Sequence, residues 1–471
     1  MPFILGEDRF QINLLPNILN DYVSENNPVR VIDAYVDSLN LEDLGFQIFD
    51  GISPGQKPYR REDILKIYLY CYINRIRSSR RMETETRRNI ELMWLVKKIC
   101  PDHGTLSAFM KNNKAAIKKL FKEFILFIKG LGLIDGNLLA IDGTKLKASS
   151  AKNKHFNENI IKKKVEHYES KINEYIDEFI NSTIDESQKL VLTEKVETYK
   201  ERINQLHTLK NELKSQGKKQ VCLTDQDSKS MKNNGKFEVC FNMQTVVVSK
   251  YKFIVDFEVT NDVNDQGQLS NMSSKAKDIF NDQDKISVVA DTGYYNMKEI
   301  VNTLDEKTEV LIKRQKENKG KIENGFDRAT FIYEKSNDTY ICPLGYTVPF
   351  KWNSKEDGKD YKRYICTDHL NCGKKELCTS SKSGRSISRF SDEDIIERVN
   401  EITLKKSDIY KRRGSIVEHP FGTIKRHFGY TYFLTRGLPS VNAEGSFICF
   451  AYNFKRLINI LGTRKLVDLF E

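Results

Sequence analysis

The sequence predicts a mixed α/β protein, with an all-helical leading part followed by a strand-rich core that two long insertions interrupt. Three observations carry this. Apolar residues in the first 130 positions recur at helical spacing, and from about position 136 the period becomes strand-like. Two apolar runs each end in a carboxylate followed by a turn-forming pattern: Leu138-Leu139-Ala140-Ile141-Asp142-Gly143, and Ile286-Ser287-Val288-Val289-Ala290-Asp291-Thr292-Gly293. Between them, and again after the second, lie stretches whose patterns belong to neither strand run.

A chain of 471 residues is too long for one ordinary core and predicts two or three domains. Its 39% hydrophobic and 30% charged residues fit a soluble protein. No run reaches the length of a membrane span, and Met1 to Asp8 lacks the basic start and apolar centre of a signal peptide. The expectation is a cytoplasmic protein with no membrane partner. Nine cysteines, mostly spread singly, point to reduced thiols rather than a disulfide framework. The net charge of +11 suits a polyanionic partner, although solvated lysines alone would give the same figure.

Residues 1–130 are expected to form the helical domain. Arg61 to Tyr70 has a broad apolar face and follows the turn-like Pro54-Gly55-Gln56-Lys57-Pro58-Tyr59. A basic patch comes next: Arg75, Arg77, Arg80, Arg81, Arg87 and Arg88. Further helices are expected at Asn89 to Val96 and Leu120 to Ile128. Short helices with clustered arginines suit a helix-turn-helix-like DNA-binding module, with Arg75, Arg77, Arg80 and Arg81 as its DNA contacts. An ordinary helical bundle with a solvated charged face would show the same pattern.

Residues 131–471 are expected to form the core. Strands are predicted up to Asp142, over Phe237 to Val248, over Phe253 to Val259, up to Asp291, and over Glu309 to Ile312, with a helix from about Asp265 to Phe280. That order is the ribonuclease-H-like one, in which the first and fourth strands are neighbours at the sheet centre. Asp142 and Asp291 would then meet, with insertion explaining their separation in sequence. The first insertion, 151–222, carries Ile161, Val165, Tyr168, Ile172, Tyr175 and Phe179, then Leu192, Val196, Tyr199, Ile203 and Leu206, at spacings of three and four. It predicts a helical hairpin whose charged outside is solvated or forms a DNA-contacting or dimerising arm. The second, 314–405, opens with a Lys-rich loop, Arg314 to Asp327. It then gathers Cys342, Cys366, His369, Cys372 and Cys378, whose close spacing could hold one structural Zn²⁺ or simply be a cluster of reduced thiols.

A carboxylate ending a buried strand is costly unless something offsets it, and a divalent cation does so well. A third acid, Glu418, follows the basic Lys411-Arg412-Arg413, and Lys425 lies seven residues further. Asp142, Asp291 and Glu418 together could hold two Mg²⁺ (or Mn²⁺) ions for phosphoryl transfer. Lys425, two α-turns after Glu418, would face the same way and hold a phosphate. Each acid also has a plainer reading. Asp142-Gly143 and Asp291-Thr292-Gly293 could be turns, and Ser415 to Glu418 a capping box. The capping box meets the difficulty that Pro420 would sit inside the helix, so the helix is either distorted there or starts after Ser415.

In these strings the chain resembles the DDE transposases of bacterial insertion sequences, along nearly its whole length. Pro58-Tyr59, Ile64-Leu65-Lys66, Arg77-Ser78-Ser79-Arg80 and Asp102 to Phe109 resemble that family's leading domain. Ile141-Asp142-Gly143-Thr144-Lys145, Ala290-Asp291-Thr292-Gly293-Tyr294 and Glu418-His419-Pro420-Phe421-Gly422-Thr423-Ile424-Lys425 resemble its three catalytic motifs. Phe237 to Gln244, Val259-Thr260-Asn261 and Ala451 to Arg456 are similar to strings elsewhere in the core. The resemblance implies a metal-dependent enzyme that binds the terminal inverted repeats of its own element, cuts there and joins the 3′ ends to target DNA. It would work as a homodimer or higher synaptic assembly, with Lys145, Arg413 and Lys425 on DNA. Where many relatives have Arg four residues before the Glu, Gly414 stands here and Arg413 is one residue earlier; where they often have Cys, His369 stands. A nuclease without strand transfer, or an inactive DNA-binding repressor, are the alternative functions.

Overall fold

The computed structural model describes residues 18–47, 57–181, 185–314, 326, 328–356 and 358–471. Met1 to Asp8, the Pro54-Gly55-Gln56 turn, part of the hairpin break and most of the expected Arg314–Asp327 loop lie outside them.

Six helices lead: α1 (Val29–Asp37), α2 (Arg61–Ile73), α3 (Ser79–Arg88), α4 (Ile90–Leu95), α5 (His103–Asn112) and α6 (Lys114–Gly130). The chain then forms β1 (Leu139–Lys147), β2 (His155–Asn157), the long helices α7 (Glu158–Asn181) and α8 (Glu186–Ser215), β3 (Gln220–Cys222), β4 (Lys229–Asn233), β5 (Lys236–Val248) and β6 (Ile254–Thr260). Next come α9 (Leu269–Ile279), β7 (Ile286–Ala290), α10 (Met297–Thr303) and β8 (Thr308–Leu311). A lobe follows with β9 (Ile332–Glu334), β10 (Thr339–Ile341), β11 (Thr347–Glu356), β12 (Lys359–Ile365), the short α11 (Lys375–Cys378) and β13 (Ser386–Phe390). The chain ends with α12 (Glu393–Lys405), α13 (Ser407–Gly422), α14 (Leu438–Leu461) and α15 (Thr463–Phe470). No helix among the described residues is long and apolar enough to cross a membrane.

The main sheet has six strands. β1 pairs antiparallel with β5 and parallel with β7, and β7 runs parallel to β8. β4 and β6 both pair antiparallel with β5, along different parts of its length. Strands with both faces covered need continuous apolar runs, which is what Leu139-Ala140-Ile141 and Val288-Val289-Ala290 supply. β1 does not stop at Asp142, as the sequence reading had it. Nine residues pair with β5, through Gly143 to Lys147, so Asp142-Gly143 is no turn. β2, β3, β4 and the five-stranded sheet of the lobe, in the order β13-β12-β11-β10-β9, were not foreseen.

One hydrophobic cluster joins the leading helices to the sheet. Its axis is α14, which is buried on every side from Ala443 to Phe454. Phe450 meets Phe124 of α6 and Tyr35 of α1, with ring centroids 4.4 and 5.6 Å apart. Two asparagines on α14 serve the edge of β6 that no strand covers. Asn442 accepts from the Val259 amide and donates to its carbonyl, both at 3.0 Å. Asn453 does the same for Ile254, at 3.0 and 2.7 Å. A strand edge that would otherwise template another chain is satisfied by side chains instead. The lobe and the hairpin have small clusters of their own, the first around Val348, Tyr364 and Ile387 and the second around Ile161 and Leu206. Arg202 lies over the Tyr168 ring, Lys195 over Tyr175 and Lys189 over Phe179, so α7 and α8 lie antiparallel.

Candidate functional site

The parallel register of β1 and β7 pairs Ile141 with Ala290, so Asp142 and Asp291 follow side by side at the ends of neighbouring paired segments. Neighbouring strands lie about 4.8 Å apart, so the two carboxylates repel each other unless a cation stands between them. The counter-charge comes from α13, which packs across these strands. Arg413 Nη1 is 3.0 Å from Asp142 Oδ2 and Nη2 is 3.8 Å from Asp291 Oδ2. The guanidinium fork thus spans both acids. Burial pushes the Asp142 carboxyl up to about 6; Arg413 and the Gly143 amide pull it down, and Asp291 and Asp265 add to the rise.

Asp265 is a fourth acid at the site, and the sequence reading passed over it. It lies in the polar loop Asn261 to Gln266, with no apolar run before it to mark it. Its Oδ1 accepts from Asn242 Nδ2 at 2.8 Å and Gln244 Nε2 at 2.7 Å, both buried on β5. Gln244 in turn accepts from the buried Tyr294 hydroxyl, just after the second motif. Gly143 makes this approach possible: a Cβ there would fall 2.5 Å from Gln244 Nε2 and 2.9 Å from Asp265 Oδ1. Any side chain at 143 would therefore displace the amide–carboxylate pair. The available signal was Gly143 in mid-strand opposite Gln244.

Glu418 lies on α13, exposed, with no hydrogen bond or ion pair among the described residues. Its carboxylate folds back over Gly414, where a Cβ would sit 3.4 Å from Oε1. The capping box does not form, because α13 starts at Ser407 and Ser415 is mid-helix, its hydroxyl on the Arg412 carbonyl at 2.8 Å. Pro420 is inside the helix, and the turn that follows, Thr423–His427, is a π-turn. Removing one amide and crowding the Ile416 carbonyl loosens the ladder at this point. Lys425 therefore does not sit two regular α-turns from Glu418. It is half-buried in the π-turn; burial lowers its pKa while Cys240 and Asp142 oppose that. π-turns recur at functional sites. Among the described residues no group of three His, Cys, Asp or Glu side chains is gathered closely enough to hold a metal ion. Asp142 and Asp291 share one guanidinium, and Glu418 stands apart from them.

The arginine patch divides. Arg77 is not a surface contact: its side chain is 7% exposed and pairs with the fully buried Glu444. Arg75 reaches His427 Nε2 at 3.0 Å. Arg87 and Arg88 bind Glu83 and Glu85 on their own helix. Arg80 and Arg81 are exposed, with no side-chain hydrogen bond or ion pair among the described residues. Lys145 donates to the Lys232 carbonyl at 3.1 Å, on the β4 side of the sheet.

In the lobe, Cys342 and Cys378 pack beside the cluster that contains Cys366. Burial raises the Cys366 and Cys378 thiols, and Cys342 and Cys372 raise both further. The Leu344 amide donates to Cys342 Sγ at 3.4 Å. His369 turns Nδ1 to the Cys366 carbonyl at 3.0 Å, which leaves Nε2 free of it.

One stability prediction follows from Asp142. Folding raises its pKa, so its favourable contribution is complete below about pH 4 and lost as pH rises through about 6. At pH 7.5 and without metal, Asp142→Asn is expected to raise Tm by about 3 °C, since roughly two pKa units correspond to about 3 kcal/mol at most. The gain should vanish by about pH 4. Differential scanning fluorimetry across pH reads this directly; a loss of Tm at pH 7.5 would show that Arg413 more than offsets the buried charge.

Comparison with known proteins adds two matches to family models. Residues 17–112 match a transposase domain model, DUF772, and residues 341–458 match the transposase DDE domain model. A cryo-EM structure of the piggyBac transposase synaptic complex with hairpin DNA aligns over 94% of this chain and 79% of that one, with 8% identity and a TM-score of 0.35. No curated protein matches the sequence.

Proposed function

We propose, for a chain that its two family matches show to be a DDE transposase of the insertion-sequence type, that Asp142, Asp291 and Glu418 are its catalytic carboxylates. They would act in cutting DNA at the terminal inverted repeats of its own element and joining the 3′ ends to target DNA. The observation that carries this reading is the pair Asp142–Asp291, each just past the last parallel pair of β1 and β7, with Arg413 across both. The order β6-β5-β1-β7-β8, with the first three antiparallel and the last three parallel, supports a ribonuclease-H-like core.

The oxygen donors fit a hard divalent cation, and the buried, partly neutralised Asp142 is a site where one would relieve a desolvation cost. Mg²⁺ or Mn²⁺ held by Asp142, Asp291 and Glu418 would supply the charge that activates the attacking oxygen and stabilises the leaving one. Arg413 holds the two neighbouring acids together, and its fork can turn to a phosphate of the bound strand once a cation takes them. Glu418, whose side chain has no partner among the described residues, needs no such bond broken before it moves in. Lys425, near Asp142, faces the same strand. Asp265 holds Gln244 and Asn242 in place beneath Gly143 and so fixes the backbone that presents Asp142. Arg80 and Arg81, exposed and without a side-chain hydrogen bond or ion pair among the described residues, are available to the DNA backbone.

Zinc in the lobe belongs to the same reading. Thiol and imidazole are its donor types, and Cys342, Cys366 and Cys378 all border the one small cluster of the lobe. Metal analysis of the purified protein should give about one zinc per chain; none would remove the proposal.

The function is tested with a labelled duplex carrying the element's end, incubated with Mg²⁺ or Mn²⁺. Metal-dependent cutting and joining is the expected result. Tight binding without cutting, with both metals and with paired ends, would identify a DNA-binding derivative instead.

A further inference from the structure

A cleft of about 520 Å³ opens where the leading helices meet the segment before α14. Its charged lining is entirely basic: Arg77, Lys111, Lys114 and Arg436, with no acidic residue. Arg77 is already matched by Glu444 beneath it. Arg436 spends one nitrogen on the neutral Ser149 carbonyl, at 2.9 Å. Lys111 and Lys114 have no hydrogen bond or ion pair among the described residues. Lys111 and Lys114 therefore face the cleft without a protein counter-charge, while Arg436 is within electrostatic reach of Asp225.

The helices around it point the same way. α3 starts from Ser78 and α6 from Asn113, neither of which caps its helix with a side chain, and neither helix has an acid in its first turn. Lys114 opens α6, where the helix dipole disfavours a cation and favours an anion. Asp225 and Asp227 lie outside the lining, on the Gly437 and Leu438 amides, and Asp225 acts on Arg436 rather than on the two lysines. Two unpaired lysines, one of them opening a helix, favour an anion in the cleft.

We infer that this cleft is a second phosphate-binding site, which takes backbone phosphates of duplex DNA away from the reacting strand end. The inference rests on the proposed function for its choice of DNA over free phosphate. Ser149, on the cleft wall, is seven residues after Asp142 along and just beyond β1. At about 3.3 Å per residue the two are roughly 20 Å apart, which corresponds to about six nucleotides of one strand.

The test is Lys111→Ala with Lys114→Ala in the full chain, measured as binding to the end duplex without metal between 50 and 200 mM salt, at the ~50–200 mM range over which counterion release is read. Each lost phosphate contact removes about 0.9 from the slope of log K against log salt, so the slope should fall by about 1 to 2. An unchanged slope overturns the inference. Inorganic phosphate separates the sources: stabilisation of wild type by phosphate, lost in the double variant with the duplex slope intact, would assign the cleft to a free anion and overturn the DNA assignment. A wild type that binds but does not cut would sink the catalytic reading and leave the slope test standing. Unfolding is controlled by the Lys111→Arg, Lys114→Arg pair, which should restore the slope.

Discussion

Asp142→Asn, Asp291→Asn and Glu418→Gln are each expected to lower end cleavage and joining by roughly 10³-fold or more, while end binding stays within about twofold of wild type. The three substitutions keep shape and remove one anionic oxygen, so they probe charge rather than packing. For Asp142 and Asp291 the contrast is sharpened by Arg413, which both now neutralise. If their only role were to anchor that arginine, Arg413→Ala would be as damaging as either. If they hold cations, Arg413→Ala should cost far less than the acids do, and chiefly in binding of the cut strand. Glu418 has no structural partner at all among the described residues, so Glu418→Gln should leave Tm unchanged; a large loss of Tm would show a packing role that the fold does not reveal. Asp265→Asn is the graded control: the remaining oxygen can still accept from Asn242 and Gln244, and about a tenfold loss is expected. Full activity in any of the three acid variants would remove that acid from the proposed set.

The parts of this site that were legible in the sequence are those that local pattern encodes. Two apolar runs, each long enough for a doubly covered strand and each closed by an aspartate, gave β1, β7 and the meeting of Asp142 with Asp291. Register did the rest, because two parallel neighbours with the acid at the same offset must bring the acids together. Asp265 was not legible, since its place depends on Gly143, Asn242 and Gln244 lining up across β1 and β5. The pairing of Arg413 depends on the phase of α13 over the sheet, and that helix begins eight residues before Ser415, where the local capping pattern had suggested a start. Pro420 shows the same thing from the other side: a strong local breaker is overridden by the packing of Ile416, Val417 and Ile424, and the strain appears as a π-turn one residue past the helix end. The strands of the lobe escape the sequence because β11 is largely exposed and β12 is rich in charged residues, so neither shows the alternation that marks a half-buried strand.

Arg77 was read as a DNA contact because it lies among arginines, and its surroundings predict the largest stability effect in the molecule. Its guanidinium lies between the rings of Tyr430 and Tyr432, 4.6 and 4.5 Å from their centroids, and donates to the Tyr432 carbonyl at 2.5 Å. Beneath it the carboxylate of Glu444, fully buried on α14, accepts from the Leu434 amide at 3.0 Å and from the Thr435 amide and hydroxyl at 2.9 and 2.8 Å. Burial pushes the Glu444 carboxyl up, and these donors and Arg77 pull it down. The pair thus pins the 432–435 segment between the leading helices and α14. Glu444→Ala leaves two amides, a hydroxyl and a guanidinium without their acceptor in a dry place and should cost about 3–5 kcal/mol in denaturant unfolding. Arg77→Ala should cost a similar amount, and Arg77→Lys nearly as much, because an ammonium cannot stack between two rings. Glu444→Gln, which still accepts from two donors, should be the mildest of the four. Arg80→Ala with Arg81→Ala should leave unfolding unchanged and flatten the salt dependence of DNA binding. A chain in which Arg77→Ala weakened DNA binding at unaltered stability would return Arg77 to the DNA surface; one in which stability falls and the salt slope holds would fix it as the clamp that joins the leading helices to the core.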